Sequence, residues 1–253
     1  MIYLSRLILD PMSRRVQSEL SAPYEMHRTL CHAFPGLSKE EWEAARVLFR
    51  ADEESGRLSL LVQSKITPDW SAFVSRLNGR YLLGAPAVKA WEPHFKVGQS
   101  LRFRLQANPV FAPKENGAKN GTRRGLYREA ERLDWLRRQS EGHGFELPLL
   151  STTLRAATDE NGQPKPIPFR GLHAVDELTV ELPVCEVIDL NDGRRFALPS
   201  QHANAQKNQF SAARFDGLIR VADPEKFARA VENGIGKARG FGFGLLSVAP
   251  ATQ

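Results

Sequence analysis

Residues 2–10 read IYLSRLILD, an apolar run with the composition of a first β-strand. The chain that follows predicts helices around 12–20 and 23–34, strands at 44–51 and 57–65, a short helix at 68–77, and a fourth strand within YLLGAPAVKAW. A turn containing Ser55-Gly56 separates the two middle strands. This β-α-β-β-α-β order is that of a ferredoxin-like domain.

The same pattern starts again after residue 98. The predicted elements are a strand at 100–110, an amphipathic helix at 125–141 with Leu126, Ala130, Leu133 and Leu136 on one side, a strand at 210–221, a helix at 223–234 and a last strand. Residues 145–209 are harder to interpret, since strand-like pieces precede a polar run at 199–209 that is typical of a hairpin tip. We therefore expect an α+β protein with tandem ferredoxin-like (βαββαβ) domains, at 1–92 and 98–253.

Composition is that of an ordinary globular protein with a basic surplus. Of 253 residues, 35 are Lys or Arg and 29 are Asp or Glu, which gives a net charge of +6. Such a surplus favours a polyanionic partner such as nucleic acid, although a solvated basic surface is an equally good interpretation. The two cysteines, Cys31 and Cys185, are not in metal-ligand spacing and fit a reduced, cytoplasmic protein. No segment predicts a signal peptide or a membrane span.

Residues 23–36, PYEMHRTLCHAFPG, form a predicted helix with two distinct faces. Its apolar stripe comprises Met26, Leu30, Ala33 and Phe34. Spacings of three and four residues place Tyr24, His27, Arg28 and Cys31 together on another face. A phenol, an imidazole and a guanidinium on one ridge indicate either chemistry or an accidental cluster, and a lone helical histidine is more often a surface or core residue.

The segment GIGKARGFGFG (234–244) is rich in glycine but matches no nucleotide-binding fingerprint. It lacks the GxxxxGK[ST] of a P-loop, and it follows a helix where a dinucleotide fingerprint would open one. Its unshielded backbone amides, with Lys237 and Arg239, suit close approach to phosphates. A tight crossover that requires positive φ angles explains the same glycines, and for the loop considered alone this second interpretation is slightly favoured.

Taken together, these blocks resemble the CasE-type CRISPR repeat-RNA endoribonucleases, the RNA-processing subunits of type I-E Cascade complexes in the RAMP superfamily. The resemblance lies in MIYLSRLILDP, PYEMHRTLCHAFP, LRFRLQANP, EAERLDWL and GIGKARGFGFGLLSVAP, which stand in the family's order along nearly the whole chain. It implies metal-independent cleavage at the base of a repeat stem-loop, 2′,3′-cyclic phosphate and 5′-hydroxyl ends, and an enzyme that stays bound to its product beside other Cascade subunits. It implies no cofactor and no membrane partner.

The resemblance also implies roles for particular residues. His27 is the implied general acid or base, Tyr24 its companion, and Arg28 a phosphate or base contact, with Lys237 and Arg239 in the loop that packs against the RNA backbone. For contacts to the RNA stem, the candidates are Lys119, Arg123, Arg124 and Arg128, and within the longer 145–209 stretch Arg194, Arg195 and Lys207.

Elementary chemistry is compatible with such an activity. Cleavage without a metal moves a proton off the 2′-hydroxyl and delivers one to the leaving 5′-oxygen, and the imidazole of His27 titrates in the range that serves either step. The sequence has no tight carboxylate cluster and no His/Cys set for a two-metal nuclease. Two alternatives remain open: a non-catalytic RNA-binding scaffold of the same fold, and a ferredoxin-like enzyme acting on a small phosphorylated substrate.

Overall fold

A computed structural model of the chain describes residues 1–77, 79–112, 124–155, 157–158, 164–165, 177–190 and 210–251. The first half contains β1 (Ile2–Ile8), α1 (Arg14–Ser21), α2 (Pro23–Leu30), a 3₁₀ turn (Cys31–Ala33), α3 (Lys39–Ala45), β2 (Leu48–Glu54), β3 (Arg57–Ser64), α4 (Trp70–Ser75) and β4 (Ala87–Trp91). Its strands form one antiparallel sheet in the order β2-β3-β1-β4. The first strand is central, since Leu4 faces Gln63 on one side and Lys89 on the other.

The second half repeats this arrangement with additions. Its elements are β5 (Ser100–Ala107), β6 (Val110–Phe111), β7 (Arg124–Gly125), α5 (Glu129–His143), β8 (Phe145–Glu146), β9 (Leu149–Arg155), β10 (Ala157–Thr158), β11 (Pro164–Lys165), β12 (Glu177–Pro183), β13 (Cys185–Asp189), β14 (Ala213–Val221), α6 (Pro224–Asn233), a 3₁₀ turn (Arg239–Phe241) and β15 (Leu246–Pro250). The main sheet has the order β13-β14-β5-β15, with β8 paired to the end of β14.

The two halves share one topology. Read along the chain, β5, α5, β13, β14, α6 and β15 repeat the βαββαβ order of the first half, and in both sheets the strands lie in the order second, third, first, fourth. The tandem ferredoxin-like prediction is confirmed. Strands β9 and β12 pair with each other between α5 and β13, within the stretch that the sequence left unclear. The domain bounds 1–92 and 98–253 remain our proposal, supported by the gap between β4 and β5.

Each half has its own hydrophobic core. In the first half, helices α1–α4 cover one face of the sheet, around Leu7, Phe49, Leu60, Val62 and Phe73. In the second, α5 and α6 pack on their sheet around Phe103, Trp135, Phe215 and Phe227, and Ile2 from β1 is buried in that same cluster. Removing this much apolar surface from water is the main favourable contribution to folding.

Polar contacts also join the halves. The buried guanidinium of Arg50 on β2 forms an ion pair with Asp52 at 2.9 Å, and its Nη1 donates to Ser247 Oγ at 3.0 Å and to the Arg104 carbonyl at 3.3 Å. Gln63 Nε2 donates to the Val231 carbonyl at 2.8 Å. Contacts of this kind fix the relative position of the two sheets, and therefore of anything built between them.

Two predicted elements differ from the structure. The helix predicted at 125–141 begins only at Glu129; Leu126 is buried but precedes the helix, and Ala130 is exposed. The strand predicted at 44–51 overlaps the unpredicted helix α3, which begins with a capping box in which Ser38 and Glu41 exchange hydrogen bonds. Strand β2 starts at Leu48, after α3 has ended.

Candidate active site

Helix α2 carries the polar ridge, and a buried network holds the helix in place. Its apolar side is fully packed, as predicted: Met26, Leu30 and Ala33 are each at most 1% exposed. On its α1 side, Thr29 Oγ1 donates to the buried carboxylate of Glu19 at 2.7 Å, and the Tyr81 hydroxyl donates to the same carboxylate at 2.6 Å. With both faces of the helix fixed, the remaining face has a defined orientation.

His27 lies on that remaining face, half-buried among aromatic rings. Its imidazole stacks on Phe49 of β2, with centroids 6.2 Å apart and an interplanar angle of 17°. The Trp42 ring of α3 meets it edge-on at 5.5 Å, and Tyr24 lies one helical turn away at 6.4 Å. The imidazole is thus held by rings from three elements of the first half.

The glycine loop of the second half closes the other side of this cleft. A Cβ at Gly240 would lie 3.6 Å from Cδ2 and 3.7 Å from Nε2 of His27, so the bare backbone passes directly over the imidazole. Phe241, the next residue, stacks on Tyr24 with centroids 5.7 Å apart. Gly242 has a φ of +79°, and a Cβ there would come within 3.2 Å of the Phe49 ring. The structure therefore brings together two segments from opposite ends of the chain.

The imidazole of His27 is poised to exchange a proton with a ligand. Its Nδ1 is buried and makes no hydrogen bond to any described group. Burial lowers the pKa of His27 below its ordinary value of 6.5, because desolvation disfavours the imidazolium. The side chain is therefore neutral at pH 7, and a neutral imidazole can accept a proton. An unpaired buried nitrogen costs free energy and is found more often at functional sites than elsewhere.

Arg239 and Lys237 lie in the same loop as Gly240. Lys237 is exposed, whereas Arg239 is half-buried; its Nη2 donates to the Gly234 carbonyl at 3.4 Å, and its Nε is buried without a hydrogen-bond partner among the described groups. Burial, and secondarily the charge of Arg46, lower the pKa of the Arg239 guanidinium. The loop whose Gly240 passes over His27 therefore carries two cations within three residues of that glycine.

Arg28 points elsewhere. Its Nη1 forms an exposed ion pair with Glu25 at 3.0 Å, and it lines a shallow groove with Arg15 and His32, on a different side of α2 from the glycine loop. Arg28 therefore shares the helix with Tyr24 and His27 but not their cleft. Its role as an RNA contact stays a prediction.

The predicted stem-binding residues are only partly described. Arg124 forms an ion pair with Glu131 at 3.6 Å, and its guanidinium lies 5.7 Å from the centroid of Phe111, against which Arg138 also packs. Arg128 is exposed and occupies the position just before α5, without a side-chain hydrogen bond to the helix. The other candidates lie outside the described residues: Lys119, Arg123, Arg194, Arg195 and Lys207.

Comparison with known proteins supplies the family. The family described as CRISPR associated protein matches residues 2–250 of the chain. The chain belongs to this family of CRISPR-associated proteins. It is similar to the CRISPR-associated endoribonuclease Cse3 of Thermus thermophilus, with 33% identity across 98% of this chain and 100% of the relative. It is also 25% identical to the CRISPR system Cascade subunit CasE of Escherichia coli, across 98% of this chain and 100% of that one.

A solved structure of the family agrees with the architecture. The structure of the endoribonuclease Cse3 bound to a 19-nucleotide RNA superposes with a TM-score of 0.66 at 31% identity, covering 98% of this chain and 99% of that one. A related structure holds an RNA that represents a pre-cleavage complex. The part of the chain that the structure describes contains no helix long and apolar enough to cross a membrane. In the same residues, no group of three or more His, Cys, Asp or Glu side chains is arranged to hold a metal ion.

Several residues of the cleft were not predicted as site residues. Trp42 was interpreted as a packing residue and does pack against the first core, but its edge also meets His27. Phe49 meets His27 within the first half, whereas Phe241 joins the cleft only through the docking of the two halves. The sequence held no distinguishing signal for Phe241, since Phe243 also stands between two glycines and is fully buried.

Proposed function

We propose that this CRISPR-associated protein is a metal-independent endoribonuclease. It cleaves CRISPR precursor RNA at the base of the repeat stem-loop and leaves a 2′,3′-cyclic phosphate. The observation that carries the proposal is the contact between His27 and the backbone of the glycine loop at Gly240, because it brings a neutral imidazole against a loop that carries two cations, Lys237 and Arg239. Relatives named as an endoribonuclease and as a Cascade subunit support it.

The reaction needs one proton relay. His27 accepts the proton of the 2′-hydroxyl, the 2′-oxygen attacks the adjacent phosphorus, and the bond to the 5′-oxygen breaks. The imidazolium so formed returns its proton to the departing 5′-oxygen, so that a cyclic phosphate and a 5′-hydroxyl are produced with no net proton change. Tyr24, 6.4 Å from His27 between ring centroids, orients the 2′-hydroxyl or the phosphate through its phenol.

Charge on the phosphorane requires donors that are already in place. Gly240 passes over His27 and Arg239 precedes it in the loop, so the loop amides and this guanidinium are our candidates for such donors. Preorganised donors of this kind are often the largest contribution to catalysis. The reaction as proposed draws on no cofactor. Lys237, exposed in the same loop, adds a phosphate contact.

The RNA stem extends from the cleft toward basic residues of the second half. Arg124 lies in β7, and Arg128 lies just before the start of α5. Together with Arg28, they are our candidates for phosphate contacts among the residues that the structure describes. Recognition of an A-form stem depends mainly on its shape and phosphates. We further infer that the protein stays bound to its product as a subunit of a Cascade-type complex, and that it acts in the cytoplasm.

The deciding experiment incubates the protein with the repeat RNA encoded beside its own gene, in excess EDTA. Cleavage at the stem base with a 2′,3′-cyclic end is expected, together with its complete loss when the nucleotide 5′ to the junction is 2′-deoxy. A protein that binds the ribo-hairpin tightly but never cuts it would instead be the non-catalytic scaffold. A protein that does not bind the structured RNA at all would contradict both functions.

A further inference from the structure

Arg46 occupies an unusual position at the end of α3. Its φ and ψ of 48° and 54° are left-handed, a conformation that favours glycine and that side-chain-bearing residues adopt at a cost. Helix α5 ends in the same conformation with Gly144, at a φ of 74°. Glycine would therefore serve the backbone better at position 46, and the reason for an arginine there must lie in its side chain.

The position of Arg46 in the fold puts it at the edge of the cleft. It follows Trp42, whose ring meets His27, by one turn of α3. Two residues after Arg46, the side chain of Leu48 packs against Gly234. A Cβ added to this glycine would lie only 2.8 Å from Leu48 Cδ1. The Gly234 carbonyl in turn accepts the hydrogen bond from Arg239 Nη2. Arg46 and Arg239 thus approach the same place from the two halves of the molecule.

The two guanidinium groups lack a counter-charge. Leu48, two residues after Arg46, lies against Gly234, whose carbonyl accepts the hydrogen bond from Arg239. In keeping with this proximity, the charge of Arg46 lowers the pKa of Arg239. Within the described part of the chain, neither forms an ion pair with a carboxylate, and Arg239 Nε is buried with no hydrogen-bond partner. Like charges held together destabilise a folded protein unless an anion lies between them.

We propose that Arg46 and Arg239 together bind one backbone phosphate of the RNA beside His27, so that Arg46 is a substrate-binding residue. This inference rests on the proposed function only in taking RNA as the occupant of the cleft. Guanidinium groups suit the task because their planar N–H donors bind phosphate oxygens in pairs. The bound phosphodiester relieves the repulsion between the two arginines.

The test measures the affinity of the folded protein for an uncleavable repeat hairpin, 2′-deoxy at the junction, over a range of salt concentrations. Arg46→Asn and Arg46→Gly are both compatible with the left-handed backbone, so their melting temperatures are expected to match or exceed that of the wild type. Each is expected to weaken binding about tenfold at 0.1 M salt and to reduce the slope of log Kd against log salt by about 0.7–0.9, the loss of one phosphate contact.

Arg76→Asn is the matched control, because Arg76 is an exposed arginine at the end of another helix, α4. It is expected to leave both affinity and slope unchanged. Wild-type affinity and slope for Arg46→Asn would overturn the proposal and leave Arg46 a role only at the end of α3. Since the RNA is uncleavable, this outcome is separate from a failure of the proposed function, which appears as a wild type unable to cut the ribo-hairpin.

A second measurement locates the phosphate. Neutral methylphosphonates replace, one at a time, the scissile phosphate and the phosphate on either side of it. At one of the three positions, Arg46→Asn is expected to cause no further loss of affinity, because the charge that it recognises is already gone. If Arg46→Asn weakens binding equally at all three positions, the bound phosphate is not beside His27 and the proposal is wrong.

Discussion

The ring of Tyr24 stacks on the ring of Phe241, with centroids 5.7 Å apart and an interplanar angle of 29°. Tyr24 belongs to the first βαββαβ unit and Phe241 to the second. The candidate active site is therefore an interface, and its geometry depends on how firmly the two units dock. Polar ties around Arg50 and shared apolar burial around Ile2 secure that docking.

Replacing His27 should abolish chemistry and spare binding. His27→Ala is expected to lower the single-turnover rate at saturating protein by about 10²–10⁴-fold, the usual range for losing a general acid–base. Affinity for the 2′-deoxy hairpin should stay near that of the wild type. His32→Ala, on the groove side of α2, is the control and should cut normally. Undiminished cleavage by His27→Ala would remove His27 from the mechanism.

The lowered pKa of His27 predicts where activity fails in acid. Because the imidazole must be neutral to accept a proton, the acid limb of the rate profile should have its midpoint below pH 6.5. The measurement is the single-turnover rate between pH 4.5 and pH 8 in EDTA at sub-saturating protein, because this second-order rate reports the pKa of the free protein. A midpoint above 6.5 would mean that the folded protein stabilises the imidazolium, contrary to the desolvation found here.

The free energy of unfolding should also depend on pH through the titration of His27. Between the folded-state pKa and the unfolded-state value of 6.5, the unfolded chain binds the proton and the folded chain does not. The free energy of unfolding therefore falls as the pH drops through about 6.5, and the fall ends below the folded-state pKa. In urea denaturation, the free energy of unfolding should differ less between pH 7.5 and pH 5 for His27→Gln than for the wild type. An equal difference would contradict the assignment.

Alanine at two nearby glycines of the loop should change the free energy of unfolding by unequal amounts. Gly240→Ala adds a methyl group at ordinary van der Waals distance from His27, without a positive φ, and should change the free energy of unfolding by less than about 0.5 kcal/mol. Gly242→Ala must adopt a φ of +79° with Phe49 at 3.2 Å and should cost about 1 kcal/mol or more. Denaturant midpoints measure both, and equal effects would contradict the loop geometry.

The buried Arg50 should matter far more to stability than an exposed arginine nearby. Arg50→Met removes an ion pair with Asp52 and the bonds to Ser247 and the Arg104 carbonyl, and it should lower the free energy of unfolding by about 3 kcal/mol. Arg57→Met, at the exposed start of β3, is the control and should stay within about 0.5 kcal/mol. A neutral Arg50→Met would show that apolar burial alone holds the halves together.

Local signals in the sequence were sufficient for much of the fold. Helix α6 begins and ends where Asp223 and Gly234 predict, because capping and left-handed termination are properties of a few adjacent residues. The apolar stripe of α2 was predictable for the same reason. Helix α3 was missed although Ser38 and Glu41 form a capping box, because the apolar run after Ala45 suggested that the strand began earlier.

The cleft itself depends on contacts that no local pattern contains. Periodicity placed Tyr24 and His27 on one ridge, and composition marked the glycine loop, but their meeting requires both sheets and the interface between them. Arg28 illustrates the limit: a spacing of four residues from Tyr24 assigns it to the same ridge, whereas its ion pair with Glu25 turns it toward a different groove. Side-chain direction is decided by such neighbours.

The passage of Gly240 over His27 has a consequence for biosynthesis. A ribosome releases α2 and its histidine early, when the glycine loop that must cover it has not yet been made. Even a fully folded first unit leaves the imidazole open to solvent and without the cations of the loop. We therefore expect the growing chain to be inert toward RNA until β15 pairs with β5 and draws the loop into place, so that nascent protein cannot cut transcripts before it is complete.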